Sequence, residues 1–236
     1  MQDISRLVNN GAAFCFTTRI LDAQSLCIFV LMAPQIPLFS DPTRQHITLK
    51  DGELVYYPQF FSLQEATACM QTLMEKIEWQ QERMKMYGKE VLFPRLMAWY
   101  GDAGSTYAFS GNTYTPQAWT EELLHIKERI EPEAGVCFNS VLLNRYRDGK
   151  DSMGWHADDE PELGRNPVIA SFNLGATRRF MLRHQQAGLK YELELQHGSL
   201  LIMKGALQHH WQHQVPKTTK VSGERINLTF RVIQNV

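Results

Sequence analysis

Apolar residues recur along this chain with two different periods, and the change from one to the other marks its organisation. In "GELVYYPQFF", residues 52–61, β-branched and aromatic residues cluster, which predicts a strand. Ser62-Leu-Gln-Glu65 then has the form of a capping box, in which the serine caps a helix and the glutamate reaches back. Ala66, Cys69, Met70, Leu73 and Ile77 follow at helical spacing, so an amphipathic helix is expected to about Gln80. Thr115-Pro116, a cap followed by a proline suited to a first turn, predicts a second helix with Trp119, Leu123, Ile126 and Ile130 as its buried stripe.

From Cys137 onward the period shortens to two. "SVLLNRY", "VIASFNLG", "RRFMLRH", "KYELELQ", "GSLLIM" and "RINLTFRVI" are short β-rich runs separated by Gly, Asp, Asn or Pro. Helices followed by a run of strands predict an α+β fold whose β part is a sandwich or jelly roll. The first 45 residues fit neither class. "AAFCFTTRILDAQSLCIFVLM" is apolar, yet Arg19 and Asp22 interrupt it and Pro34 and Pro37 break the longest uncharged run. It suits neither a membrane span nor a signal peptide. Residues 1–45 are therefore expected to be a poorly defined extension, and residues 46–236 the folded domain.

Composition narrows the function. A hydrophobic content of 44% and a charged content of 21% are ordinary for a globular protein. The formal net charge of −1 supplies no global positive field, so a nucleic-acid partner would need a local basic surface. Cys15, Cys27, Cys69 and Cys137 are scattered without a C-x-x-C pair. That argues against a zinc ribbon or a disulfide framework and fits a reducing cytosol.

The chemistry concentrates in "GWHADDEPEL", residues 154–163. His156 and Asp158 converge if the backbone is extended, whereas on a helix they would point about 200° apart. Such a pair supplies two ligands of the two-His, one-carboxylate face of a non-haem Fe(II) site. A third could come from His184, His197, His209, His210 or His213, and spacing alone does not choose, although "HHWQH" (209–213) is the densest cluster. In "RINLTFR", Arg225, Asn227, Thr229 and Arg231 share one strand face, and Ile226, Leu228 and Phe230 form the core face. Two guanidiniums on an inward face can hold a dicarboxylate, and a solvated strand face is the alternative. Asn144 and Tyr146 likewise share a face.

Taken in order, "PRLMAWYGDAGSTYAFSG", "NRYRDG", "HADDE", "HGSLLIM", "HHWQH" and "RINLTFR" resemble the AlkB family of Fe(II)/2-oxoglutarate-dependent dioxygenases, especially its members that repair duplex DNA. The resemblance covers about residues 83–233 and implies a double-stranded β-helix (jelly roll) with flanking N-terminal helices. It implies His156, Asp158 and His213 as iron ligands, and Asn144, Tyr146, Arg225, Asn227 and Arg231 around 2-oxoglutarate, with O2 as oxidant. The implied activity is oxidative demethylation of 1-methyladenine and 3-methylcytosine in DNA, releasing formaldehyde and succinate. Tyr107, Phe109, Ser110 and Glu160 match the lesion pocket, Tyr87 a wedge that replaces the flipped base, and Arg95 an arginine near the DNA. Within "DDE", Glu160 would add to Asp158 a negative pocket for a cationic base, Asp159 and Glu162 are expected on a solvated face, and the acid-free stretches 178–190 and 204–220 would meet phosphates. The alternatives are a demethylase of RNA or single strands, a reader of modified nucleic acid without turnover, and a hydroxylase of protein or small molecules. A monomer with no membrane partner is expected, cytoplasmic in a bacterium or nuclear in a eukaryote.

Overall fold

The computed structural model describes residues 44–86, 89–105, 107–109, 112–221 and 223–234. All but the last two residues of the expected N-terminal extension fall outside that set. Strands β1 (Gln45–Leu49) and β2 (Gly52–Tyr57) lead into α1 (Leu63–Lys76). Next come β3 (Arg83–Met86), β4 (Lys89–Leu92), β5 (Leu96–Gly101), β6 (Tyr107–Phe109) and β7 (Asn112–Tyr114), then α2 (Glu121–Ala134). The remainder is β8 (Ser140–Tyr146), β9 (Met153–His156), β10 (Ile169–Gly175), β11 (Arg178–His184), β12 (Lys190–Leu195), β13 (Ser199–Lys204), the one-turn α3 (Leu207–His210), β14 (Trp211–Val215) and β15 (Arg225–Arg231).

Two antiparallel sheets carry the architecture. The larger has the order β1-β2-β13-β10-β15-β8-β5 and the smaller β12-β11-β14-β9, with β3-β4 and β6-β7 as separate hairpins. Alternate residues of the larger sheet go to two different cores. Val55, Leu200, Ile202, Ile226, Leu228 and Phe230 pack with Leu73, Leu123, Ile126 and Ile130 of the helices. Leu54, Tyr56, Leu201 and Met203 pack with Phe180, Leu182, Trp211 and Val215 of the smaller sheet. The larger sheet therefore has helices on one face and the smaller sheet on the other, the α+β jelly roll expected from the strand pattern. With both faces covered, every residue of β15 is buried.

The helices differ from the sequence expectation at their ends. The capping box is present, with Ser62 N–H donating to Glu65 Oε2 at 2.9 Å and Glu65 N–H to Ser62 Oγ at 3.3 Å. However, α1 stops at Lys76, and α2 is capped by Thr120, not Thr115, so Pro116 and Trp119 precede it. Both discrepancies have one cause. Strand β5 lies at the edge of the larger sheet, and its free edge is bridged by Gln80 at Met97 and by Gln117 at Tyr100. Covering an exposed edge takes these residues out of helix.

Leu228 sits on the core face of the strand that carries the polar row. Leu228→Ala should lower stability by about 2–5 kcal/mol, read as a lower urea midpoint at unchanged slope. A loss below about 1 kcal/mol would mean that this face closes around the gap and is not rigidly packed.

Candidate metal centre and its cavity

Strand pairing brings the candidate ligands together. His213 of β14 is the direct cross-strand partner of His156 on β9, and their ring centroids are 4.2 Å apart. Asp158 lies two residues past the end of β9, in backbone without regular structure, and its Oδ2 is 3.8 Å from His213 Nε2. One ligand atom from each of the three lies within 4.8 Å of the others. Arg231 Nη2 donates to Asp158 Oδ1 at 2.7 Å, so one carboxylate oxygen is engaged and the other faces the histidines.

The electrostatics favour ligation. Burial pushes the His213 imidazole down to about 3, aided by the neighbouring His156 and opposed by Asp158. Burial likewise lowers His156. For Asp158, burial alone would raise the carboxyl, but Arg231, His213 and His156 together outweigh it and hold the group at about 2. Two neutral imidazoles and a carboxylate are the forms a divalent metal requires. The tautomer is right as well. His156 Nδ1 lies 2.9 Å from the carbonyl of Gly154, which only accepts, so Nδ1 carries the proton and Nε2 keeps its lone pair.

A second cluster, Asp51, His184 and His210, also brings ligand atoms within 4.8 Å of one another. Here the tautomer is wrong. His184 Nδ1 accepts the N–H groups of Gln186 and Ala187 at 3.2 and 3.0 Å, so Nε2 carries the proton and donates to Asp51 Oδ2 at 3.1 Å. Ligation through Nε2 would turn an Nδ1 proton toward two N–H groups. This cluster is a latch between the β1–β2 turn and β11.

The polar row of β15 lines the same cavity as the histidines. Arg225, Asn227, Thr229 and Arg231 face it together with Asn144 and Tyr146 of β8. Pairing sets Arg225 beside Tyr146 and Asn227 beside Asn144. Arg225 is 1% exposed, with its guanidinium 4.9 Å from the centre of the Tyr146 ring. Nη2 donates to Asn173 Oδ1 at 2.6 Å, but Nε and Nη1 meet no acceptor in hydrogen-bond geometry. No carboxylate pairs with Arg225 among the described residues, and burial pushes its pKa down. A buried cation in this state is destabilising until an anion arrives. Asn144 Oδ1 is taken by Arg95 Nε at 2.6 Å, which leaves its Nδ2 to donate into the cavity.

The profile of the 2OG-Fe(II) oxygenase superfamily matches residues 53–231. Over 231 residues the chain is 43% identical to "Alpha-ketoglutarate-dependent dioxygenase alkB homolog 3" of Rattus norvegicus, covering 87% of this chain and 76% of that one. Over 203 residues it is 40% identical to "DNA oxidative demethylase ALKBH2" of Homo sapiens, covering 81% and 77%. This chain belongs to the AlkB family. It is thus an Fe(II)/2-oxoglutarate-dependent dioxygenase, with O2 as the other substrate. The solved structure of OsALKBH1 matches its fold at a TM-score of 0.54 and 19% identity, over 80% of this chain and 100% of that one. The AlkB cosubstrates fit the cavity: the donor set suits Fe(II), and the uncompensated Arg225 suits a carboxylate of 2-oxoglutarate.

Other expectations fare differently. Tyr87 and Ser110 lie outside the described residues, as do the side chains of Tyr107 and Phe109, whose backbone forms β6. Arg95, expected near the DNA, is 1% exposed and braces Asn144 inside the cavity wall, so it is not on an outer, phosphate-facing surface. The acids of "DDE" fall in three different environments. Asp158 is paired with Arg231, Asp159 is exposed, and Glu160 is half-buried outside the cavity lining. The lining itself has three guanidiniums, Arg95, Arg225 and Arg231, against one carboxylate. Within the basic stretch 178–190, Arg178 is buried and donates to the carbonyls of Asp148, Asp151 and Pro216. Sequence reasoning missed Asn173, the acceptor for Arg225, although a Ser171–Asn173 polar pair at period two inside an apolar run was the available signal. No helix among the described residues is long and apolar enough to cross a membrane.

The depressed His213 sets a pH dependence. In the unfolded chain this imidazole titrates near 6.5 and in the folded one at about 3, so the folded state binds fewer protons between those values. Its stabilising contribution is complete above about 6.5 and is lost as pH falls toward 3. Asp158 adds a loss only below its ordinary 3.8. Metal-free protein should therefore lose about 2 kcal/mol between pH 7 and pH 5 through His213, and His213→Gln should flatten that drop. Equal urea midpoints at both pH values in the parent protein would show that the ring is not held neutral.

Proposed function

We propose that this AlkB protein removes N-methyl groups from damaged bases in DNA, with 1-methyladenine and 3-methylcytosine as its lesions. The observation that carries this is one cavity holding both the His156–Asp158–His213 cluster and the uncompensated Arg225. The cluster would hold iron. Arg225 would pair with a carboxylate of 2-oxoglutarate, with Asn144, Tyr146 and Asn227 orienting it and Arg231 keeping Asp158 on a single free oxygen. DNA as the substrate is supported by the human relative named as a DNA oxidative demethylase. We take residues 46–236 as the catalytic domain, acting as a monomer, with Tyr87 as a wedge in duplex substrate and Tyr107, Phe109, Ser110 and Glu160 around the flipped base.

When bound, iron with 2-oxoglutarate and O2 supplies the oxidation: one oxygen atom enters succinate, formed with CO2, and the other enters a C–H bond of the N-methyl group. The hydroxymethyl group then loses its hydroxyl proton and leaves as formaldehyde, with the C–N electron pair kept on the base nitrogen. A methylated cation thus becomes the neutral base. The chain's part is to bind and orient. Leu142, Phe180, Met203 and Val215 line the cavity between the polar groups and keep water scarce there. A reader without turnover would have no use for a buried cation that costs stability until a carboxylate binds it.

The decisive assay incubates the protein with Fe(II), 2-oxoglutarate and methylated oligonucleotides, as single and double strands of DNA and of RNA, and weighs the products. Methylated DNA should lose CH2, with succinate formed in equal amount. Asp158→Ala and His213→Ala should lower turnover more than about a hundredfold, and the exposed His209→Ala should keep most of it. Loss of CH2 from RNA alone would move the substrate class, and succinate formation with no change in any oligonucleotide would point to another hydroxylase.

Arg225→Met should do two opposite things. Without ligands the variant should be at least as stable as the parent, because an unpaired buried charge has been removed. Its KM for 2-oxoglutarate should nevertheless rise about a hundredfold, the equivalent of about 3 kcal/mol for a lost buried ion pair. An unchanged KM would remove Arg225 from the cosubstrate site.

A further inference from the structure

Asp158 carries its carboxylate from a stretch with no ladder to hold it, since β9 ends at His156. Its buried N–H is nonetheless satisfied, because Gln208 Oε1 accepts it at 3.0 Å. Gln208 is 1% exposed and belongs to α3, which runs directly into the strand bearing His213. Its other amide atom, Nε2, is 3.6 Å from Met203 Sδ, a weak acceptor that leaves the amide orientation set chiefly by Asp158.

The turn that presents Gln208 is itself fixed from several sides. Leu207 packs against Gly52 so closely that a Cβ at residue 52 would collide with it. His209 Nε2 accepts the N–H of Asn166 at 3.3 Å, and the His210 carbonyl accepts that of Gln185 at 2.8 Å. Trp211 Nε1 donates to the carbonyl of Lys50 at 2.8 Å. Gln208 is therefore a firm anchor and not a side chain that follows its surroundings.

We propose that Gln208 is a positioning residue for the metal centre, tying the backbone of Asp158 to the segment that bears His213 and so fixing where the carboxylate stands relative to that ring. This rests on Asp158 and His213 being ligands. Asp158 is held at two ends, with Arg231 on Oδ1 and Gln208 on the backbone N–H. With the second hold removed, the N–H must find another acceptor, and the carboxylate is free to pivot about Oδ1. Outer-shell hydrogen bonds of this kind are worth about 10- to 100-fold in metal affinity. Arg225, anchored through Asn173, makes no hydrogen bond to Gln208 and should keep its position.

The test is a Co(II) titration of the metal-free full chain, followed by visible absorption, on the parent, Gln208→Met, Asp158→Ala and Leu73→Ala. Gln208→Met keeps the length and volume of the side chain and loses the acceptor. It should weaken Co(II) binding about 10- to 100-fold and alter the band shape. Leu73→Ala, in the helix-side core, should lower the melting temperature without changing Co(II) affinity. Parent-like binding by Gln208→Met, with binding lost in Asp158→Ala, overturns the proposal and leaves the ligand assignment standing. Parent-like binding by Asp158→Ala overturns the assignment and the proposal together. Equal weakening by Leu73→Ala would reduce the effect to general stability and also overturn it. If Gln208→Met does not fold, Gln208→Leu, which equally lacks the acceptor, takes its place with the same expected weakening.

Discussion

Arg225 and Arg231 sit on a strand whose two faces are both covered, so two guanidiniums have been taken out of water where a solvated strand would leave them in it. Much of the cavity answers that constraint. Arg231 is compensated from within, by Asp158 at 2.7 Å. Arg225 has an amide oxygen and the ring and phenol of Tyr146, which soften but do not cancel a buried charge. The difference is one of partners: one arginine is paired with a carboxylate, and the other meets none among the described residues. The apolar face of the same strand, through Ile226, Leu228 and Phe230, ties this polar row to the helix-side core and holds it in register.

The alternation along β15 was legible in the sequence because period two needs no tertiary information, and so were the six strand runs after Cys137. Direction was not. Nothing in "RINLTFR" says whether its polar face meets solvent or a second sheet, and the covering strands β9 and β14 are only four and five residues long. The helix ends were misjudged for a related reason. Local signals at Thr115-Pro116 and beyond Lys76 favour helix, but the free edge of β5 recruits Gln80 and Gln117 into bridges, and tertiary pairing outweighs propensity.

Histidine clusters show the same limit more sharply. By count and spacing, His209 and His210 were as good as His213. The fold spends each differently: His209 accepts from Asn166, His210 stacks on His184 with centroids 5.8 Å apart, and only His213 turns into the cavity. Even three-dimensional proximity does not decide, since two His–His–Asp clusters each bring their ligand atoms within 4.8 Å of one another. What separates them is the group on the far nitrogen. A carbonyl against His156 Nδ1 frees Nε2 for a metal, and two N–H groups against His184 Nδ1 do the reverse.

Charge obeys the same logic of placement over count. The chain as a whole is nearly neutral at −1, yet its cavity lining holds three guanidiniums against one carboxylate. Adding a ferrous dication and a 2-oxoglutarate dianion leaves that excess unchanged. A cation therefore gains no attraction from the inner cavity, and a positive interior by itself would repel it. Glu160 is half-buried and stands outside that lining. Arg179, Arg183 and Lys190 are exposed instead, so the positive charge of this chain is divided between an outer surface and a buried cavity.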